Sequence, residues 1–150
     1  KKRLGDEFMV QRLVGKDNEE YTVAAFGLGD GAAPAKFCLR RKLSREGATA
    51  KAVVTSCKNI ENETDRLAEL FKPVGPTNFQ FRIHDGEPLL LEINPRISSS
   101  TSIRTAFGYN EAAMCVAYFL EDVVPGIPET RSGSAERFID DVITYDSDHR

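Results

Sequence analysis

Polar and apolar residues alternate along much of this sequence, and a period of two is the pattern of half-buried β-strands. Alternation predicts strands at 77–83 and 88–94, and runs of β-forming residues between turns predict further strands at 8–14, 21–26, 36–41, 50–55 and 138–145. Turns are predicted at 15–18 and 27–31, and the polar segment 42–49 predicts a flexible loop. Because short turns connect successive strands, the pairing is expected to be antiparallel.

Helical spacing appears in two segments. In the first, 62–71, apolar residues recur at i, i+3 and i+4 and predict one buried stripe: Leu67, Leu70 and Phe71. A second helix is predicted at 111–121, because Asn110 is a favourable N-cap residue ahead of an apolar run.

The order of these elements predicts an α+β fold, with a mainly antiparallel sheet and helices packed on one face. A length of 150 residues with 41% hydrophobic residues indicates a single domain over 1–150, or part of one. Since a charged triplet leads almost at once into the first strand, the chain is interpreted as a piece of a longer protein.

The predicted hairpin 77–94 fixes its own register. Each strand has one apolar set: Phe79, Phe81 and Ile83 in the first, and Leu89, Leu91 and Ile93 in the second. Directly opposed residues share a face, so pairing these sets puts Gln80 opposite Glu92 and Asn78 opposite Asn94. This register requires an odd-numbered loop, although Asp85-Gly86 is the usual signal for a two-residue turn.

The same register gathers three oxygen-bearing side chains, those of Gln80, Glu92 and Asn94, on one face. Glu92 and Asn94 lie about 7 Å apart along their strand, a spacing at which both can reach hard cations between them. The alternative is an ordinary solvent-exposed hairpin face. Against it, the apolar run 89–91 predicts a strand covered on both sides, where a carboxylate needs a cationic partner.

Charge and cysteine usage narrow the class of protein. A formal net charge of -3 gives no reason to expect nucleic acid or an anionic membrane as a partner, and the sequence contains no apolar run long enough to span a bilayer. Cys38, Cys57 and Cys115 are isolated and odd in number, which favours reduced thiols in a cytoplasm. The sequence shows no Ser-His or Cys-His arrangement for nucleophilic catalysis.

Several segments, taken in order, resemble the ATP-grasp superfamily from about residue 8 to 120. The segment 91–96 is similar to the metal-binding signature of carbamoyl-phosphate synthase large subunits, and 78–82 to the family strand before it. The segment 9–14 resembles the hinge strand that holds adenine, and 19–23 the acidic start of the next strand. The resemblance implies the C-terminal ATP-grasp subdomain, without the N-terminal subdomain that carries the phosphate-binding lysines and glycine-rich loop.

The resemblance implies a role for each candidate residue. Glu92 would bridge two Mg²⁺ (or Mn²⁺) ions, while Gln80 takes one ion and Asn94 the other. The implied nucleotide contacts run from adenine through ribose to phosphate: Gln11, Leu13 and Val14, then Glu20, then Arg41 or Lys42. Arg96 and Arg104 would steady phosphate or an acyl-phosphate, with hydroxyl donors from 98–102.

The resemblance also implies an ATP-dependent ligase that activates a small carboxylate and transfers it to an amine. Its partners would be those substrates and the N-terminal domains of the parent protein. A homo-oligomer stays open, with Phe107 and Tyr109 as core or interface residues. Alternatives are a non-catalytic nucleotide-binding or regulatory module, and a structural domain with an even-numbered hairpin loop and Gln80 and Glu92 on opposite faces. Each of these residues also has a purely structural interpretation. Glu20 would be a surface acid, Arg41 and Lys42 would be a solvated pair of charges, and 98–102 would be a loop before a helix.

Overall fold

The computed structural model describes residues 12–16, 20–138 and 143, which form one antiparallel sheet and three helices. The strands are β1 Glu20–Leu28, β2 Ala35–Leu43, β3 Thr49–Val54, β4 Val74–His84, β5 Glu87–Asn94 and β6 Ser134–Glu136. The helices are α1 Lys58–Phe71, α2 Thr101–Ala106 and α3 Glu111–Leu120. Across the sheet the order is β5-β4-β1-β2-β3-β6, so β5 lies at one edge.

Most predicted elements are confirmed, with ends shifted by a few residues. Strands β1 to β5 correspond to the five predicted strands between 21 and 94, and the second predicted helix is α3. The Asn110 side chain caps α3 by accepting a hydrogen bond from the Ala113 N–H at 3.0 Å. Of the strand predicted at 8–14, residues 12–14 are in no regular element and the others lie outside the described residues, as does most of 138–145. The sequence did not predict α2 or β6.

The α+β class and the antiparallel sheet are confirmed, but the helices lie on both faces of the sheet rather than on one. The buried residues Val23 and Ala25 face α1, whereas Ala24 and Phe26 face α2 and α3. All four are at most 1% exposed. A central strand with four consecutive apolar residues has to be covered on both sides, which one layer of helices cannot achieve.

Helix α1 begins four residues earlier than predicted, at Lys58, and buries a different stripe. Its buried residues are Ile60, Thr64, Leu67 and Ala68. Leu70 and Phe71 are 64% and 58% exposed, so the predicted stripe was wrong for both. The packed face follows the i, i+4, i+7 and i+8 spacing from Ile60, a residue that lay outside the predicted helix. With 14 residues, α1 is the longest helix in the described ranges, and none of these helices could span a bilayer.

The β4–β5 hairpin combines the predicted pairing with a turn that was predicted wrongly. Gln80 is opposite Glu92 and Asn78 is opposite Asn94, as expected. The loop, however, is the two-residue turn Asp85-Gly86, with φ of 52° and 85°. The register shifts between Gln80 and Phe81, which leaves Leu91 as an extra residue in β5. The structural-domain alternative was right about the even-numbered loop and wrong about the faces, because the β-bulge keeps Gln80 and Glu92 on one face.

Gly86 provides a test of this turn. A Cβ at Gly86 meets no atom within 4 Å, so the cost of Gly86→Ala comes from its left-handed backbone alone. We expect Gly86→Ala to lower the free energy of unfolding by about 1 kcal/mol. Gly126→Ala is the matched control, because its Cβ is equally free and its φ is not positive. Equal unfolding midpoints in urea for the two variants would contradict the left-handed backbone assigned to Gly86 in this turn.

Candidate functional site

The sheet face covered by α2 and α3 changes from apolar to polar toward the β5 edge. Two rows of paired residues, running from β2 through β1 and β4 to β5, show this change: Leu39, Thr22, Gln80 and Glu92 in one, and Phe37, Ala24, Asn78 and Asn94 in the other. The β2 ends of both rows lie in the core with the helices, whereas Glu92 is exposed. The polar ends therefore form an accessible surface at the edge of the sheet.

Two of the three predicted metal ligands, Gln80 and Asn94, bond to one oxygen atom of the third, Glu92. Gln80 Nε2 donates a hydrogen bond to Glu92 Oε1, and Asn94 Nδ2 donates to the same oxygen at 2.6 Å. Glu92 is exposed, and Gln80 and Asn94 are half-buried. Carboxylate and amide side chains carry the oxygen ligands that hard divalent cations such as Mg²⁺ accept, so these residue types fit such an ion. In the structure the amide nitrogens face Glu92, and Gln80 Oε1 accepts a hydrogen bond from Arg41. Within the described ranges no cluster of three or more His, Cys, Asp or Glu offers a competing metal site.

A buried ion cluster adjoins these ligands. The Glu20 side chain is 3% exposed, and its Oε1 accepts hydrogen bonds from Arg41 Nε at 3.1 Å and from an Arg41 terminal nitrogen at 2.8 Å. Its other oxygen accepts from Arg82 at 3.2 Å. Arg41 also donates to Gln80 Oε1. The two arginines thus balance Glu20 and place positive charge directly beside the three ligands.

The remaining predicted phosphate residues are placed differently from one another. Lys42 is exposed and, as the neighbour of Arg41 along β2, points to the opposite face of the sheet. Arg96 is exposed just beyond β5 and donates to the Ile97 carbonyl oxygen at 3.2 Å. In the serine-rich segment, Ser100 is fully buried at the start of α2, with its hydroxyl 3.0 Å from that of Thr49. This segment therefore begins a helix.

Arg104 lies beneath the site rather than on its surface. Its side chain is 0% exposed and donates to Glu111 Oε1 at 2.9 Å, to Thr22 Oγ1 at 2.9 Å and to Asn78 Oδ1 at 2.5 Å. Burial lowers the pKa of the Arg104 guanidinium, and the carboxylate of Glu111 opposes that shift. In this arrangement Arg104 has no open path to a ligand on the surface of the sheet.

A family model described as ATP-grasp in the biosynthetic pathway with Ter operon matches residues 6–141. The chain belongs to this ATP-grasp family. The superfamily predicted from the sequence is therefore confirmed, whereas the finer likeness to carbamoyl-phosphate synthases stays a prediction.

Several solved structures share the fold of this chain. The ATPase subunit of phosphoribosylaminoimidazole carboxylase from Aquifex aeolicus has a TM-score of 0.62 and 22% identity over 78% of this chain and 38% of its own. N5-carboxyaminoimidazole synthetase from Staphylococcus aureus, complexed with ADP, has a TM-score of 0.64 and 14% identity over 80% and 33%. Urea carboxylase from Kluyveromyces lactis has a TM-score of 0.58 and 17% identity over 81% and 12%. Identities this low establish a shared fold and no more.

The ATP-grasp chain spans about a third of the length of the first two structures. Of its predicted nucleotide residues, Gln11 lies outside the described residues and Leu13 is 81% exposed. Val14 is half-buried, and its carbonyl oxygen accepts a hydrogen bond from Arg82 at 3.2 Å. Arg82 therefore connects the segment resembling a hinge to Glu20.

Sequence reasoning missed several residues of this candidate site. Arg82 carried a usable signal, because it alternates with Gln80 along β4 and so shares its face. Thr22 is marked in the same way, two residues beyond Glu20. Glu111 carried no such signal, since only the return of α3 over the sheet brings it to Arg104. Phe107 and Tyr109 pack in the core with Phe37, so the fold alone accounts for both aromatic residues.

Proposed function

We propose that this chain is the ATP- and Mg²⁺-binding part of an ATP-dependent carboxylate–amine ligase of the carbamoyl-phosphate synthase type. The observation that carries the proposal is the convergence of Gln80, Glu92 and Asn94 at the open edge of an ATP-grasp sheet. The S. aureus neighbour, which shares this fold, was solved as a complex with ADP, and this supports nucleotide binding by the present chain. The three free cysteines support a reducing, cytoplasmic location.

In this proposal Gln80, Glu92 and Asn94 hold Mg²⁺ or Mn²⁺. The ion, when bound, supplies positive charge that offsets the charge of the nucleotide phosphates and orients them. The chain's own contribution is the position of these ligands, which the strand pairing of β4 and β5 fixes. With glutamine rather than a carboxylate at position 80, Glu92 is the one formal negative charge among the three ligands.

Arg41 is proposed to act on phosphate from within the sheet because, unlike Arg104, which is also buried, it hydrogen-bonds directly to the proposed metal ligand Gln80. It is 7% exposed and held by Glu20, so its guanidinium is already oriented next to Gln80. A fixed cation loses little conformational entropy on binding an anion and can stabilise charge that develops during transfer. Arg96, exposed after β5, is proposed to steady the acyl-phosphate, while Leu13 and Val14 contact adenine. In the structure both carboxylate oxygens of Glu20 accept hydrogen bonds from arginines, so the contact between Glu20 and ribose stays a prediction.

The proposed reaction has two steps and needs no protein nucleophile. A carboxylate oxygen of the substrate attacks the γ-phosphorus of ATP, a new P–O bond forms, and ADP leaves with the electrons of the broken bond. The nitrogen lone pair of the amine then attacks the acyl carbon, phosphate leaves, and the amine loses a proton. The site's task is to align the reactants and balance charge.

The first test is the dependence of nucleotide binding on a divalent cation. We expect the full-length protein to bind ADP at least about ten-fold more tightly with Mg²⁺ than with a chelator, because the three ligands hold the nucleotide through the ion. Isothermal titration calorimetry gives both dissociation constants. Equal values would contradict the proposal.

A second assay separates the ligase from a non-catalytic nucleotide-binding module. The ligase is expected to release ADP and phosphate in equal amounts from ATP when mixtures of carboxylates and amines are both supplied. A module would bind Mg-ADP with no such release, and the measurement is coupled detection of the two products.

A further inference from the structure

Arg104 is the centre of a buried hydrogen-bond network under the candidate site, in which Arg104 Nε and Glu111 Oε2 are buried without a hydrogen-bond partner. One terminal nitrogen of the guanidinium donates to Glu111 Oε1 at 2.9 Å. The other donates to both Thr22 Oγ1 at 2.9 Å and Asn78 Oδ1 at 2.5 Å, and the Thr22 hydroxyl in turn donates to Asn78 Oδ1 at 2.6 Å. Since all four side chains are at most 2% exposed, water does not compete for these bonds.

The network is attached to the same strand positions as the proposed metal ligands. Thr22 of β1 is the direct strand partner of Gln80, and Asn78 of β4 is the direct partner of Asn94. The second guanidinium nitrogen of Arg104 therefore fixes one residue in each of the two rows that carry the ligands. A shift of either row would move Gln80 or Asn94 relative to Glu92.

We propose that Arg104 is a positioning residue, which holds β1 and β4 so that Gln80 and Asn94 present their amide groups beside Glu92. This inference rests on the proposed metal-binding function. It replaces the direct phosphate contact expected from the sequence, because the guanidinium is buried and its charge is balanced by Glu111.

The shape of the arginine side chain is essential to this role. A planar guanidinium presents its two terminal nitrogens in different directions, so it can bond Glu111 and the Thr22–Asn78 pair together. A lysine ammonium keeps the charge but is a single point, and it cannot reproduce the fork. Arg104→Lys therefore separates the geometry of the network from its charge.

The test is the affinity of the full-length protein for Mn²⁺ alone, measured from the free-ion signal in electron paramagnetic resonance. We expect Arg104→Lys to weaken Mn²⁺ binding by about ten-fold or more, as loss of a supporting hydrogen bond behind a metal ligand does. Thr22→Val, which removes one member of the network, is expected to change the affinity in the same direction by less. Neither variant is expected to change the affinity for ADP in the presence of a chelator.

Tyr109→Phe is the matched control. The Tyr109 side chain is 0% exposed and donates to the Ala35 carbonyl oxygen at 3.0 Å, so its loss also removes a buried hydrogen bond on this face. The Tyr109 hydroxyl bonds Ala35 rather than Thr22 or Asn78, so the Mn²⁺ affinity of Tyr109→Phe is expected to equal that of the parent protein.

If Arg104→Lys and Thr22→Val bind Mn²⁺ as tightly as the parent protein, the inference is overturned. It is also overturned if their affinity for ADP without metal falls by the same factor as their affinity for Mn²⁺, because that result indicates a general loss of structure. If Arg104→Lys does not fold, Thr22→Val decides alone. Glu92→Gln distinguishes the two levels of the proposal. If it abolishes Mn²⁺ binding while the network variants bind normally, only the positioning role fails. If it too binds normally, the proposed function fails.

Discussion

Replacing Glu92 with glutamine is expected to weaken Mg²⁺-dependent nucleotide binding by about 100-fold or more, because a lost ligand costs at least as much as a lost supporting contact. Glu92 Oε1 is the atom on which Gln80 and Asn94 converge, and Glu92 carries the only formal negative charge of the three. The substitution keeps the shape of the side chain. Calorimetry with Mg-ADP measures the loss.

The stability of the Glu92→Gln protein is expected to stay within about 0.5 kcal/mol of the parent, since the residue is exposed. Glu87→Gln is the matched control, because Glu87 is also an exposed glutamate of β5 but lies at the far end of the strand, beside the turn. It should bind Mg-ADP like the parent protein. Normal Mg-ADP affinity in Glu92→Gln would show that the carboxylate is not a ligand.

At the buried end of the site, substitution is expected to change the stability of the fold more than the binding of nucleotide. Glu111→Gln should lower the free energy of unfolding by about 3–5 kcal/mol, the usual cost of leaving one partner of a buried ion pair uncompensated. Arg104 and Glu111 are 0% and 1% exposed, with 2.9 Å between the bonded atoms. Because burial already lowers the pKa of Arg104, loss of the carboxylate leaves a desolvated cation with no balancing charge. Urea denaturation measures the change.

Glu63→Gln gives the comparison for Glu111→Gln. Glu63 pairs with Arg66 at 2.6 Å on the surface of α1, where the arginine side chain is 64% exposed. Solvent screens this pair, so the same chemical change is expected to cost less than about 1 kcal/mol. A cost for Glu111→Gln as small as that for Glu63→Gln would mean that the Arg104 network contributes little to the fold.

The sequence predicted the centre of the site better than its surroundings. Alternation in 77–83 was sufficient to place Gln80 opposite Glu92, because a slip of one residue would have exposed Phe79 and Phe81. Alternation could not locate the bulge, because the run 89–91 is apolar at every position. No switch between apolar and polar residues therefore marks Leu91 as the extra residue. The Asp85-Gly86 turn signal was therefore right, and the predicted pairing was right only beyond the bulge. Between the bulge and the turn, Phe81 pairs with Leu90 and Ile83 with Pro88, rather than with Leu91 and Leu89.

The buried network shows why charge near a motif is a poor guide to a role. Arg104 follows the 91–96 motif closely and was expected to meet phosphate, but α2, which carries it, has only six residues and gives no periodic signal. Its burial depends on Thr22 and Asn78 from distant strands and on Glu111 from α3. Such contacts arise only from tertiary packing. The apolar run 89–91 was expected to be covered on both sides, but β5 is an edge strand in which Leu89 and Leu90 are each 38% exposed.

A crystal structure of the full-length protein with Mn²⁺ and ADP tests the central claim most directly, because anomalous scattering identifies the metal without assumption. We expect a manganese peak within about 2.0–2.6 Å of a Glu92 carboxylate oxygen and of the amide oxygen of Gln80 or Asn94, with the ADP phosphates on its other side. Manganese and ADP bound elsewhere, with Glu92 still bonded only to Gln80 and Asn94, would contradict the assignment of this sheet edge as the metal and nucleotide site.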